Sequence, residues 1–150
     1  MAIPTFKVCL MGEAQVGKSW LIKVLHGINV DVYEPTLGVD MTPIVHHDQR
    51  LNVWDTAGDP RYEGLGSVYY IGADIGVLMY DAQQNRHGLS KYEKEFSSVC
   101  PGTLLVKCVN LRNEKEPTQY NRPEQHLFFI NLQRNEGVSQ LMDHIVKHCY

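Results

Sequence analysis

The stretch GEAQVGKS, Gly12 to Ser19, carries the most explicit chemistry in the chain. It fits G-x-x-x-x-G-K-[ST] at every fixed position. In that pattern the backbone N–H groups of Glu13, Ala14, Gln15, Val16, Gly17 and Lys18 turn inward and cradle a β-phosphate, helped by a helix N-terminus. The Lys18 ammonium would bridge β- and γ-oxygens, and the Ser19 hydroxyl would ligate Mg²⁺. The motif lies between an apolar run and a helical pattern, which is the context it requires. A glycine-rich turn with a surface lysine would not need that context.

A cradle alone serves kinases, ATPases and GTPases alike, so the next motif decides. LNVWDTAG puts Asp55 at the end of a strand-like run, where a carboxylate can hold Mg²⁺ through water. The Gly58 N–H can then reach a γ-phosphate. Between the two motifs lies YEPTLGV, with Thr36 in a loop ahead of a strand.

These residues need a frame. FKVCLMG is a short apolar run ending in glycine, the pattern of a buried strand. KSWLIKVLHG places Trp20, Leu21, Val24 and Leu25 at helical spacing, with Gly27 as a stop. GVDMTPIVHH reads as an edge strand, because Pro43 cannot donate to a ladder. RLNVWD is its neighbour, and HHDQR between them predicts a hairpin. DIGVLMYD, TLLVKCVN and HLFFIN are further buried-type strands. LSKYEKEFSSV puts Leu89, Tyr92, Phe96 and Val99 on one helical face. Val138, Leu141, Met142, Ile145 and Val146 form the stripe of a terminal amphipathic helix. The order β-α-β-β-α-β-α-β-β-α predicts an α/β fold with a mostly parallel sheet covered on both faces. LRNEKEPTQYNRPEQ, with two prolines and few apolar residues, predicts a loop with at most a turn of helix.

The chain has 150 residues, enough for one domain over 1–150. Hydrophobic residues are 43% and charged residues 21%, as in ordinary globular proteins. A net charge of −3 gives no electrostatic reason to expect nucleic-acid binding. Cys9, Cys100, Cys108 and Cys149 show no C-x-x-C spacing and read as reduced core or surface thiols. The N-terminus lacks a signal-peptide pattern, and no run approaches the ~20 apolar residues of a membrane span. DHIVKHCY fits no prenylation pattern, so no lipid anchor is expected. A soluble cytoplasmic or nuclear monomer is the expectation.

The chain resembles the small GTPases of the Ras superfamily. YEPTLGVDMTPIV, NVWDTAG and EGLGSVYYIGAD are similar to switch I, strand 3 and switch II of the Ran branch, more than to those of Rab. The resemblance runs over nearly the whole chain. It implies a P-loop small G-domain with a six-stranded sheet, five strands parallel, flanked by helices; the stretch from Leu111 to Gln125, poor in apolar residues, departs from it, so the helix between the last two strands is expected to be reduced or absent. It implies GTP/GDP and Mg²⁺ as ligands, and effectors or regulators of Ran or Rab type at the switches. Thr36 would be the switch I threonine on Mg²⁺ and the γ-phosphate, Tyr33 the switch I tyrosine near the phosphates, and Thr56–Gly58 the γ-phosphate sensor.

Several positions depart from that pattern. The family's catalytic glutamine is replaced by Asp59, which is shorter, negatively charged and unable to donate as an amide does. Pro60 disfavours the α conformation at Asp59, and the Ala14 methyl crowds the γ-phosphate side of the cradle. Slow or absent hydrolysis is the expectation; the alternative is Asp59 as a base with an unusual partner. In the family's N-K-x-D motif, Asn110 is retained. Leu111 replaces the lysine whose stem covers the base, as a shorter apolar lid. Asn113 replaces the aspartate that accepts two hydrogen bonds from guanine. The lost acceptor costs about 1–3 kcal/mol, or roughly tenfold to a hundredfold in affinity. Asn131, Leu132 and Gln133 replace the S-A-K loop, leaving the Leu132 N–H for the base oxygen. Asn29 stands where an aromatic would meet the base.

His144 and His148, four apart on a helix, could be a metal pair, but no third ligand is apparent and a solvated face is expected. His46 and His47 read as hairpin-tip surface. Tyr69, Tyr70 and Trp54 read as core and switch packing, with Tyr69 a candidate partner contact. Two functions stay open: a nucleotide switch with very slow turnover, or a nucleotide-independent decoy using YEPTLGV and RYEGLGSVYY. A small-molecule kinase ranks below both, because no arginine-rich lid follows Gly58.

Overall fold

The computed structural model describes residues 4–13, 16–26, 39–56, 69–81, 89–111 and 121–149. Its elements are β1 (Thr5–Met11), α1 (Lys18–His26), β2 (Val39–His46), β3 (Gln49–Thr56), β4 (Ile75–Asp81), α2 (Leu89–Val99), β5 (Leu105–Asn110), β6 (Leu127–Ile130) and α3 (Val138–Lys147). A 3-10 turn, Pro123–Gln125, precedes β6. The six strands form one sheet in the order β2-β3-β1-β4-β5-β6. Among these six strands only the β2–β3 pairing is antiparallel; β1, β3, β4, β5 and β6 run parallel.

Period-2 alternation builds the two layers. Val8 and Leu10 of β1 enter one core cluster, while Cys9 and Met11 enter the other. The first cluster takes Leu21 from α1 and Val138, Leu141, Met142, Ile145 and Val146 from α3. The second takes Phe96 from α2, with Tyr92 and Val99 beside it. Tyr70 meets Phe96 edge-on at 5.4 Å between ring centres, a favoured aromatic geometry. The stripe of α3 is buried as its spacing predicts. All four cysteines are buried and unbridged, so the surface alternative falls away.

The hairpin turns through His47 and Asp48, both left-handed with φ of 49° and 62°. Two consecutive left-handed residues suit the twist of a two-residue hairpin loop. β2 lies at the sheet edge, where Pro43 leaves no interior ladder bond unmade. The helix expected between β3 and β4 falls mostly on 57–68, outside the described residues, although Tyr69 and Tyr70 are helical. No helix among the described residues is long and apolar enough to cross a membrane.

Candidate functional site

β1 delivers the chain to Gly12 at the carboxyl end of the sheet, where α/β folds place their ligands. Gly12 has φ of +143°, and a Cβ there would lie 2.2 Å from the Met79 carbonyl oxygen of β4. Gly17 has φ of +108°, and a Cβ there would lie 2.9 Å from Asn110 Nδ2 and 3.1 Å from Leu132 Cδ1. Both glycines are thus required by backbone conformation and by close approach. Gly17 then opens α1, its carbonyl accepting the Leu21 N–H at 2.8 Å.

Lys18 is only 5% exposed. Its Nζ donates to the carbonyls of Gly12 at 2.7 Å and Glu13 at 2.5 Å. Burial lowers the pKa of this ammonium, while the nearby charges of Asp55 and Glu13 act the other way. The side chain is therefore a preorganised cation folded back over its own turn. Ser19, half-buried, is the second residue of α1. Asp55 is 2% exposed near the end of β3, in register with Leu10 of β1. Together they offer a hydroxyl and a carboxylate, the hard oxygen donors that suit Mg²⁺. The cradle's shape and this donor set fit a nucleotide phosphate with Mg²⁺.

The far side of the cradle is braced by β5. Asn110, buried at the end of that strand, donates through Nδ2 to the Val16 carbonyl at 3.1 Å. Leu111 continues the ladder, its N–H donating to the Ile130 carbonyl at 2.8 Å, and its side chain belongs to the core cluster that contains Val109 and Tyr80. Leu132 is buried beside Gly17. Its turn is closed by paired backbone bonds between Asn131 and Glu136, and by the Arg134 N–H donating to Asn131 Oδ1.

The structure thus brings Gly12, Glu13, Val16, Gly17, Lys18, Ser19, Asp55, Asn110, Leu111 and Leu132 to one end of the sheet. Ala14, Gln15, Asn29, Tyr33, Thr36, Gly58, Asp59, Pro60 and Asn113 lie outside the described residues.

Two expectations need correction. Tyr69 is 4% exposed, so it offers no partner contact. Its hydroxyl instead reaches the carbonyl oxygens of Leu10 at 2.6 Å and of Trp54, tying β1 to β3 beneath the site. Burial raises its pKa well above the ordinary tyrosine value, so the hydroxyl stays a donor. His144 does not sit on a solvated face; it is 9% exposed and meets His126, a ring that spacing along α3 could not show. His46 and His47 are at the surface as expected, but both hold Asp143.

Comparison with known families matches residues 7–113 to Roc, described as "Ras of Complex, Roc, domain of DAPkinase". The match spans most of the chain, from β1 through the cradle and Asp55 to the segment after Asn110. Roc is a GTPase domain of the Ras superfamily, and guanine-nucleotide binding goes with that membership. The chain belongs to the Roc family of Ras-like GTP-binding domains.

Proposed function

We propose that residues 1–150 form one small G-domain that binds GTP and GDP with Mg²⁺, is Ran-like in its switch segments, and turns over very slowly. The observation that carries this reading is the Gly12–Gly17–Lys18 cradle braced by Asn110. In it the backbone N–H groups of Glu13 to Lys18 take the phosphates, Ala14 and Gln15 included. Lys18 exchanges its two carbonyl partners for β- and γ-oxygens. Ser19 and Thr36 hold Mg²⁺ directly and Asp55 holds it through water. When bound, Mg²⁺ neutralises charge on the phosphates. Tyr33 and Gly58 complete the phosphate side.

On the base side, Asn110, Asn113 and the Leu132 N–H form the pocket, with weakened guanine specificity; the Leu111 side chain is taken up by the core and leaves the base without its apolar lid. Asp59 is a poor trigger, so the triphosphate state persists. Ordered switch I and switch II then present a surface to effectors or regulators of Ran or Rab type. The partner surface on the second switch stops short of Tyr69, whose buried hydroxyl is committed to the sheet.

A second reading is a nucleotide-independent decoy that engages the same partners. The residues favouring it are Leu111, Asn113 and the Asn131–Gln133 stretch, which depart from the family's base-binding motifs, together with Asp59 at the trigger position. The test is a thermal scan with and without Mg²⁺ and millimolar GDP or GTP. A ligand that binds only the folded state raises the melting temperature by mass action. Lys18→Ala should abolish the rise. No rise in the unmodified protein would favour the decoy.

A further inference from the structure

Three histidines meet at the end of the sheet opposite the cradle. His126 closes the 3-10 turn ahead of β6, whereas the cradle follows the carboxyl end of the parallel strand β1. His126 is pinned by its backbone. It is left-handed, with φ of 54°; its N–H donates to Pro123 at 3.0 Å, and its carbonyl accepts the Lys107 N–H at 2.8 Å. His144 and His148 lie one helical turn apart at the end of α3.

The ring nitrogens converge. His126 Nδ1 stands 2.9 Å from His144 Nε2. One ring nitrogen from each of the three residues lies within 4.8 Å of those of the other two. His148 Nδ1 lies 2.9 Å from the His144 carbonyl oxygen. A carbonyl only accepts, so Nδ1 carries the proton and Nε2 keeps the lone pair in the neutral ring. A backbone carbonyl fixing one nitrogen of an imidazole is the usual outer support of a metal-binding histidine. The His144 ring is held against Phe128, 4.7 Å between ring centres. His126 and His148 are half-exposed, which leaves a side open to water.

We propose that His126, His144 and His148 bind one divalent transition cation of the imidazole-preferring class, such as Zn²⁺, with the fourth position open to solvent. The cation would join the end of α3 to the turn that starts β6. An N–H···N hydrogen bond accounts for the His126–His144 contact alone, but not for the third nitrogen in the same group. The other cluster, His46, His47 and Asp143, is not equivalent. There both Nε2 atoms share one oxygen of a half-exposed carboxylate, which already accepts from both.

The test uses protein without a histidine tag, stripped with chelator. Calorimetric titration with Zn²⁺ should show one equivalent bound. His126→Gln and His148→Gln should each weaken binding by more than about 100-fold, beyond what losing an outer-shell partner causes. His46→Gln should leave binding intact. Co²⁺ should give the visible absorption of a tetrahedral site in the unmodified protein and lose it in His126→Gln. Melting curves in EDTA establish that both glutamine variants fold, and the Co²⁺ spectrum of the unmodified protein stands without them. The absence of a one-to-one site, or a Zn²⁺ affinity in His126→Gln and His148→Gln unchanged from that of the unmodified protein, would show that the rings only pack.

Discussion

Asn110 Nδ2 donates to the carbonyl of Val16 at 3.1 Å, joining the end of β5 to the turn that opens α1. The same Nδ2 limits what can stand at Gly17. Asn110 is therefore part of the cradle's frame before any base arrives. Asn110→Ala should destabilise the ligand-free protein by about 1–3 kcal/mol, the cost of leaving a buried carbonyl without its donor. Urea unfolding reads this as a lower midpoint at unchanged slope. A change below about 0.5 kcal/mol, as at an indifferent surface site, would mean the bond does not brace the cradle.

The two cradle glycines should differ in what they lose. At Gly12 an added Cβ meets the Met79 backbone at 2.2 Å, and backbone in a central strand cannot move aside. At Gly17 it meets the tips of the Asn110 and Leu132 side chains, which can turn away. Both positions also carry a φ that strains alanine by about 1–3 kcal/mol. Gly12→Ala should thus be the more destabilising, by more than about 2 kcal/mol once overpacking is added. Gly17→Ala should keep more stability but lose nucleotide affinity, because displaced Asn110 no longer fixes Val16. Thermal scans with and without GDP separate the two, and equal losses in both readouts would contradict this geometry.

Much of the frame was legible because it rests on periodicity. Alternation sends Val8 and Leu10 to one face and Cys9 and Met11 to the other, and a 3.6-residue stripe buries Leu141, Met142 and Ile145. Pro43 marks the edge, and HHDQR between two strand-like runs marks the hairpin. What stayed illegible depends on distant pieces of chain. Asn110 and Val16 are 94 residues apart, and His126 reaches His144 across a strand. No local pattern encodes either contact. Sequence reads Tyr69 as core and switch packing with a candidate partner contact; only the fold shows that its hydroxyl is taken by two strand carbonyls instead.

The hairpin-to-helix contact gives a pH dependence. His46 Nε2 and His47 Nε2 lie 2.9 Å and 2.8 Å from Asp143 Oδ1. These hydrogen bonds hold the Asp143 carboxyl below its usual pKa of 3.8. A carboxylate with a lower pKa in the folded state stabilises above its unfolded value. That contribution disappears as pH falls through the folded value. Asp143 is exposed, so the effect should be under about 1 kcal/mol. Asp143→Asn should lower the melting temperature slightly at pH 7, and the difference should close below about pH 4. A difference that persists or grows in acid would mean another role for Asp143.

Base discrimination should be weak. In the proposed pocket Asn113 would offer one acceptor and one donor where guanine presents two donors. Xanthine replaces the guanine amino group by a carbonyl, which the amide N–H can meet. Calorimetry with GDP and XDP should show a smaller guanine preference than in relatives with aspartate at this position. Asn113→Asp should restore part of it, by roughly tenfold to a hundredfold. A strong guanine preference in the unmodified protein would rule out this reading of the pocket.

The trigger should be the slowest part of the machine. Phosphoryl transfer to water depends on positioning the water and stabilising charge, with little covalent work for the protein. On the proposed reading, Asp59 would bring a negative charge where the transition state needs donors, and a proline at position 60 disfavours the helical region for the residue before it. Lys18 and Ser19, the proposed phosphate and Mg²⁺ residues, stand on α1, a different stretch of the chain. Binding and cleavage should therefore separate. The triphosphate should load, and cleavage should lag far behind that of ordinary small GTPases. Asp59→Gln should raise single-turnover phosphate release modestly, and Asp59→Gln with Pro60→Glu should raise it further. Nucleotide affinity should change little in either variant. Partners of the triphosphate form would then be held rather than cycled. A native rate equal to that of ordinary small GTPases, or a fall in rate on Asp59→Gln, would show that Asp59 is a working catalyst.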